Sequence, residues 1–140
     1  EHWLNEVDQR EGKYNFLKHF IVYHHDRKIG YCLHADCFFL KYLEENAYDV
    51  SFWNNLYAET PQENHTYEIG YLIGEEEFLN KGIGKIIVQL LEEKVVEIGG
   101  KEMSSDPDEE NIISIKTLLS NGFTKKGDSD YRKTIAKCSH

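Results

Sequence analysis

The stretch LIGEEEFLNKGIGKIIVQLLEE, residues 72–93, sets Gly82 and Gly84 one residue apart, directly ahead of a strongly helical run. Glycines placed there let successive backbone N–H groups turn inward with no Cβ in the way. The helix start adds its unpaired donors and the positive end of its dipole, so the segment suits a pyrophosphate, with Lys81 and Lys85 adding charge. The same pattern also reads as a plain helix start, because many helices begin after glycine. Two common phosphate loops fail by count. A P-loop needs glycine five residues ahead of its Gly-Lys pair and a hydroxyl after it, where this chain has Leu79 and Ile86. A dinucleotide turn needs a third glycine where this chain has Ile87.

Around this loop the chain alternates between two periods. Phe16 to His24 is rich in aromatic and β-branched residues, HDRK supplies turn chemistry, and IGYCLHADCF follows as the second strand of a hairpin. A long irregular stretch, about Phe39 to Thr66, leads to a third strand, TYEIGYLIG, whose internal Gly70 predicts a bulge or a close backbone approach. Beyond the glycine loop, Ile86, Ile87, Leu90, Leu91, Val95 and Ile98 recur at helical spacing up to Gly99-Gly100. KEMSSDP reads as a strand. EENIISIKTLLSNGF reads as a second helix with Ile112, Ile115, Leu118 and Leu119 on one face, and a hairpin around GDSD closes the chain. The opening residues read as the end of a helix. The order implies one sheet with helices packed on its faces.

The chain is 140 residues long with 40% apolar and 29% charged residues, which fits one globular domain, and no apolar run approaches the ~18 residues of a membrane span. Twenty-five acidic against 16 basic residues give a formal charge of −9. That charge repels nucleic acid over most of the surface and favours a cationic partner. Cys32, Cys37 and Cys138 are odd in number with no C-x-x-C pair, so no disulfide framework is expected, and a reducing, cytoplasmic setting is. His19, His24, His25, Cys32, His34 and Cys37 crowd one hairpin without the spacing of a zinc site, and no metal is expected there.

Taken together, YEIGYLIG, NKGIGK and DPDEENIISIK, the last running into a helix that ends in Gly-Phe, resemble the GNAT superfamily of N-acetyltransferases, over about Phe16 to Ile135. Within it they look most like the aminoglycoside 6′-N-acetyltransferase branch. The resemblance implies an α/β domain, residues 1–140, built on a central, mostly antiparallel, splayed sheet with helices on both faces. The first strand and helix usual in the family are missing or displaced. It also implies acetyl-CoA as co-substrate, its pantetheine arm pairing with the backbone of Tyr71, Leu72 and Ile73 like an added strand. Asn80, Lys81, Gly82, Ile83, Gly84 and Lys85 would hold the pyrophosphate. Asn111 would hydrogen-bond the pantetheine, with Lys116 nearby.

Acetyl transfer to an amine needs a base, donors for the oxyanion and an acid for the leaving thiolate. Glu68 lies fourteen residues before Gly82, where the histone-acetylating branch places its glutamate base. The aminoglycoside branch carries an aspartate two residues later, and this chain has Gly70. Where many members place a tyrosine acid on the last helix this chain has Leu118, so Tyr131 of the terminal hairpin is the candidate. Leu79 stands where the superfamily usually has Gln or Arg. Trp53, Tyr57, Asp36 and Asp106 are the acceptor-side candidates, the two aspartates expected at the ends of neighbouring strands. The expected acceptor is a small cationic amine, aminoglycoside- or polyamine-like, attacked directly, by a monomer or homodimer. A peptide N-terminus is the rival acceptor, and a silent acyl-CoA-binding module the rival class.

Overall fold

The computed structural model describes residues 2–7, 16–39, 62–74 and 82–135. Seven strands form one sheet in the order β1-β2-β3-β4-β5-β7-β6. Here β1 is His2–Glu6, β2 Leu17–His24, β3 Arg27–Asp36, β4 Thr66–Ile73, β5 Glu102–Ser105, β6 Thr124–Gly127 and β7 Asp130–Thr134, with helices α1 (Ile83–Glu97) and α2 (Ile112–Ser120). All described pairings are antiparallel except β4 with β5, which the α1 crossover makes parallel. Among the described residues no helix is long and apolar enough to cross a membrane.

The chain opens on a strand and not, as its sequence suggested, on the end of a helix. Aromatic pairing decides this. Trp3 stacks on Tyr23 across the strands at 4.3 Å and donates from Nε1 to the carbonyl of His25 at 2.9 Å, while Leu4 packs against the core. The β2–β3 hairpin turns at His25-Asp26, with His25 at φ 54°, the left-handed conformation that a tight hairpin needs.

Residues with odd numbers on β4, Tyr67, Ile69, Tyr71 and Ile73, join the core over which α1 lays Ile83, Ile87, Val88, Leu91 and Val95. The helix stops where Gly99 takes φ 87° and the amides of Gly99 and Gly100 bond back to Val96 and Val95. On α2 the expected apolar face is only partly buried. Leu118 is enclosed and Ile115 packs beside it, but Ile112, at the open end, and Leu119, about 100° around from Leu118, stay exposed.

Gly70 forms no bulge: it pairs in register with Leu33, and a Cβ there would make ordinary contact with that side chain at 3.7 Å. The close approach falls instead on its neighbour strand, where a Cβ on Gly30 would stand 2.5 Å from the backbone carbonyl of Leu72. Because the obstacle is backbone, Gly30→Ala must push β3 and β4 apart. We expect it to lower unfolding free energy by about 1–3 kcal/mol, read as a lower urea midpoint; an unchanged midpoint would mean the two strands can spread freely.

Candidate functional site

The site grows from a parting of strands. β4 and β5 pair through Thr66–Glu102, Tyr67–Met103 and Glu68–Ser104, and go no further. The last link across the gap is the Ser105 hydroxyl donating to the Ile69 carbonyl at 3.5 Å. Proline explains the stop: after Asp106 comes Pro107, which has no N–H to extend the ladder and holds its predecessor to a restricted conformation. β4 continues alone to Ile73, still paired with β3 on its other side.

Strand alternation decides which groups face the gap. Leu72 turns its carbonyl toward Gly30, and the amide of Gly74 donates to Ile29 at 2.9 Å, so even-numbered backbone groups here belong to β3. The amides and carbonyls of Tyr71 and Ile73 therefore point to the side that β5 has left. Leu72 offers the gap no backbone group, while its side chain is 66% exposed.

At the far end of the same strand, α1 begins at Gly82, which takes φ 76° and leaves the helix without a side-chain cap or an acidic residue in its first turn. Ile83 is buried, and Lys85 is exposed on that turn. A Cβ on Gly84 would come within 3.1 Å of the Tyr71 hydroxyl, so the missing side chain lets the helix start lie on β4. Unpaired N–H donors on a first turn that holds no acidic residue, beside an open strand edge, fit a phosphate-bearing ligand with an extended amide arm. Asn80 and Lys81 lie outside the described residues, as do Trp53 and Tyr57. Asn111 is the N-cap of α2, its Oδ1 accepting from the amide of Ser114 at 3.1 Å; Lys116 is exposed on that helix.

Even-numbered side chains of β4 define the opposite face of the sheet. Glu68 is buried there and accepts a hydrogen bond from the Ser104 hydroxyl at 2.6 Å, and Ser104 in turn lies 3.8 Å from the Cys37 thiol. Asp106 comes two residues beyond Ser104, just past the end of β5, and its carboxyl interacts with that of Glu68. Burial raises the Glu68 carboxyl well above its ordinary value, the Asp106 charge adds to this, and the Ser104 bond partly offsets it. Asp106 is exposed over part of its surface, yet the protein around its carboxyl is enough to raise it too.

The two aspartates are not on neighbouring strands, because β4 lies between β3 and β5. Asp36 faces the other way and spends both oxygens on backbone amides, of Phe38 at 3.1 Å and Asn64 at 2.7 Å, so it ties the backbone just after β3 to that just before β4. Tyr131 is buried on the helix side of the sheet, facing a shallow cavity with Pro107, Ile115 and Lys125. No motif in the sequence singles out Ser104, although it stands two residues before Asp106 in KEMSSDP and pairs across the strands with Glu68. Among the described residues no group of histidines, cysteines and carboxylates is placed to hold a metal ion.

A carboxyl whose folded value is raised keeps its proton where the unfolded chain, with an ordinary value of ~4.3, has lost it. Its contribution is complete below that pH and lost as pH rises toward the folded value. Glu68→Gln removes this loss. We expect the fall in Tm between pH 5 and pH 8 to shrink by at least ~2 °C in Glu68→Gln; an equal fall in both proteins would mean that Glu68 is not raised.

A model of the acetyltransferase (GNAT) family matches residues 1–123. No curated protein matches the sequence. Among solved structures, aminoglycoside acetyltransferase AAC(6')-Ib in complex with coenzyme A and kanamycin aligns at TM-score 0.66 and 17% identity, over 89% of this chain and 70% of that one. A domain from Methanocaldococcus jannaschii aligns at TM-score 0.58 and 25% identity, over 94% and 79%. A GNAT-family acetyltransferase from Streptococcus pneumoniae aligns at TM-score 0.59 and 11% identity, over 90% and 71%.

Proposed function

Because the chain belongs to the acetyltransferase (GNAT) family, whose co-substrate is acetyl-CoA, we propose that it acetylates a primary amine on a small cationic acceptor, aminoglycoside- or polyamine-like, by direct attack. The observation that carries this reading is the parting of β4 and β5, with an open strand edge on one side and buried Glu68 at its base. In this reading Tyr71 and Ile73 hold the pantetheine arm by their backbone groups. The pyrophosphate sits on the start of α1 at Gly82, Ile83 and Gly84 with Lys85 beside it, and Asn80 and Lys81 complete the loop. Asn111 and Lys116 flank the arm from α2. Bound acetyl-CoA supplies the acyl carbon: the amine forms the C–N bond as the C–S bond breaks, and the thiolate leaves with the electron pair and takes up a proton that the nitrogen gives up.

Glu68 serves as the base, and the Asp106 carboxylate beside it attracts the acceptor's ammonium. Tyr131, buried beyond the gap, is the candidate acid for the thiolate, whose ordinary value of ~8.5 makes it an adequate leaving group in any case. Trp53, Tyr57 and Asp36 belong to the acceptor side in this reading, Asp36 by holding backbone. The net charge of −9 favours a cationic acceptor throughout. AAC(6')-Ib binds kanamycin and ribostamycin, which supports amino sugars as the first acceptors to try.

Calorimetry with acetyl-CoA, followed by thiol release with kanamycin, spermidine and a short peptide, tests the reading. We expect binding, turnover with the polyamines over the peptide, and a roughly tenfold rise in Kd for Lys85→Glu from charge reversal at the helix start. Binding without thiol release from any amine would favour a silent acyl-CoA module. Faster turnover of the peptide would move the acceptor to protein N-termini.

A further inference from the structure

Among the described residues, one oxygen on the Glu68 face has no hydrogen-bond partner. Glu68 is 5% exposed; its Oε2 accepts from Ser104, but its Oε1 is buried without a hydrogen bond among the described residues. An empty buried carboxylate oxygen is costly unless it holds a proton or meets a donor. Its neighbour is the Asp106 carboxylate, just past the end of β5, which interacts with it side chain to side chain and is also an acceptor. A single proton between the two satisfies both.

We propose that Glu68 and Asp106 act as one proton acceptor, a carboxylate pair that takes a proton from the acceptor's ammonium and then shares it between Glu68 Oε1 and Asp106. The proposal rests on acetyl transfer to an amine as read above. The proton balance is closed: the ammonium loses one proton and becomes an amine with a free electron pair, and the pair goes from two negative charges to one. The proton then leaves to water through Asp106, the exposed member. Ser104 is a positioning residue, since its bond occupies Oε2 and leaves Oε1 as the oxygen without a partner among the described residues.

The surrounding charges support this assignment. From the end of β3 the Cys37 thiol faces Glu68, kept neutral because burial raises it well above its ordinary value. From β7, Arg132 shares the face of Ser104 but is committed to Asp130, at 3.1 and 3.2 Å, and to Glu102 at 3.8 Å. Among the described residues, the negative charges that bear on Glu68 are those of Asp106 and, more weakly, Asp130. Two carboxylates forced together make one of them basic, which a lone exposed glutamate is not, and a stronger base is what an ammonium requires.

The test has two readouts. One is the pH dependence of kcat/KM with acetyl-CoA and either kanamycin or spermidine. The other is the carbon-13 titration of the Glu68 carboxyl in the ligand-free protein. With the pair, kcat/KM rises with pH through the step at which the pair gives up its shared proton. Asp106→Asn removes the like charge, so that step and the Glu68 titration both move down by about one pH unit or more, and plateau turnover falls because the base is weaker. Ser104→Ala moves both upward, and Asp106→Glu restores the wild-type titration. An unmoved Glu68 titration in Asp106→Asn overturns the pair, even where KM rises, since a residue that only binds the acceptor changes KM alone. If no amine releases thiol, the acetyl-transfer reading fails, while the carboxyl titration still decides whether the pair exists.

Discussion

The parting of β4 from β5 after the Glu68–Ser104 pair is the constraint on which the rest of the site depends. Two parallel strands that stayed together would satisfy each other's backbone groups and leave nothing to offer. Here β5 is four residues long and ends at Ser105, ahead of Asp106-Pro107, so the outer edge of β4 runs on with the polar groups of Tyr71 and Ile73 facing outward. An edge of that kind invites a strand-like ligand, and the amide-bearing arm of coenzyme A has that form. The uncapped start of α1 lies above the same edge because Gly84 lets it rest on Tyr71. Edge and helix start are thus one device, set by one proline and one glycine.

The same parting places chemistry at its base. Glu68 and Ser104 are the last residues held between strands, so they are buried and fixed, whereas Asp106 stands just past the point of separation and reaches solvent. In the proposed reading, this buried carboxyl beside an exposed one carries a proton between the acceptor and water. The other polar row on this face, Thr66 donating to Glu102 at 2.8 Å and Arg132 tied to Glu102 and Asp130, fills the rest of the β5–β7 seam and commits its charges internally.

The strands and helices from β2 onward were legible because their apolar periods are strong and their ends are marked, by Gly99 and Gly122 after the helices and by HDRK and GDSD in the hairpins. β1 was not, since five residues with one leucine and one tryptophan carry too little pattern; its pairing is settled by the Trp3–Tyr23 stack across twenty residues of sequence. Gly70 misled for a related reason. A glycine in a strand signals a close approach somewhere, but only the register with β3 reveals that Gly30 is the one beneath a carbonyl. Asp36 looked like an acceptor ligand from its charge, and its two amide bonds to Phe38 and Asn64 arise from a turn that sequence periodicity does not describe. Ser104 carries no motif, and its role follows only from facing Glu68.

In the proposed reading the outer edge of β4 receives the arm of coenzyme A as an added strand. Residue-resolved amide hydrogen exchange with and without saturating coenzyme A tests it most directly. The amides of Tyr71 and Ile73 should slow at least ~10-fold on binding, because each gains a backbone partner, while those of Gly70 and Leu72, already in the β3 ladder, change little. Unchanged exchange at Tyr71 and Ile73 in the coenzyme A complex would contradict the account.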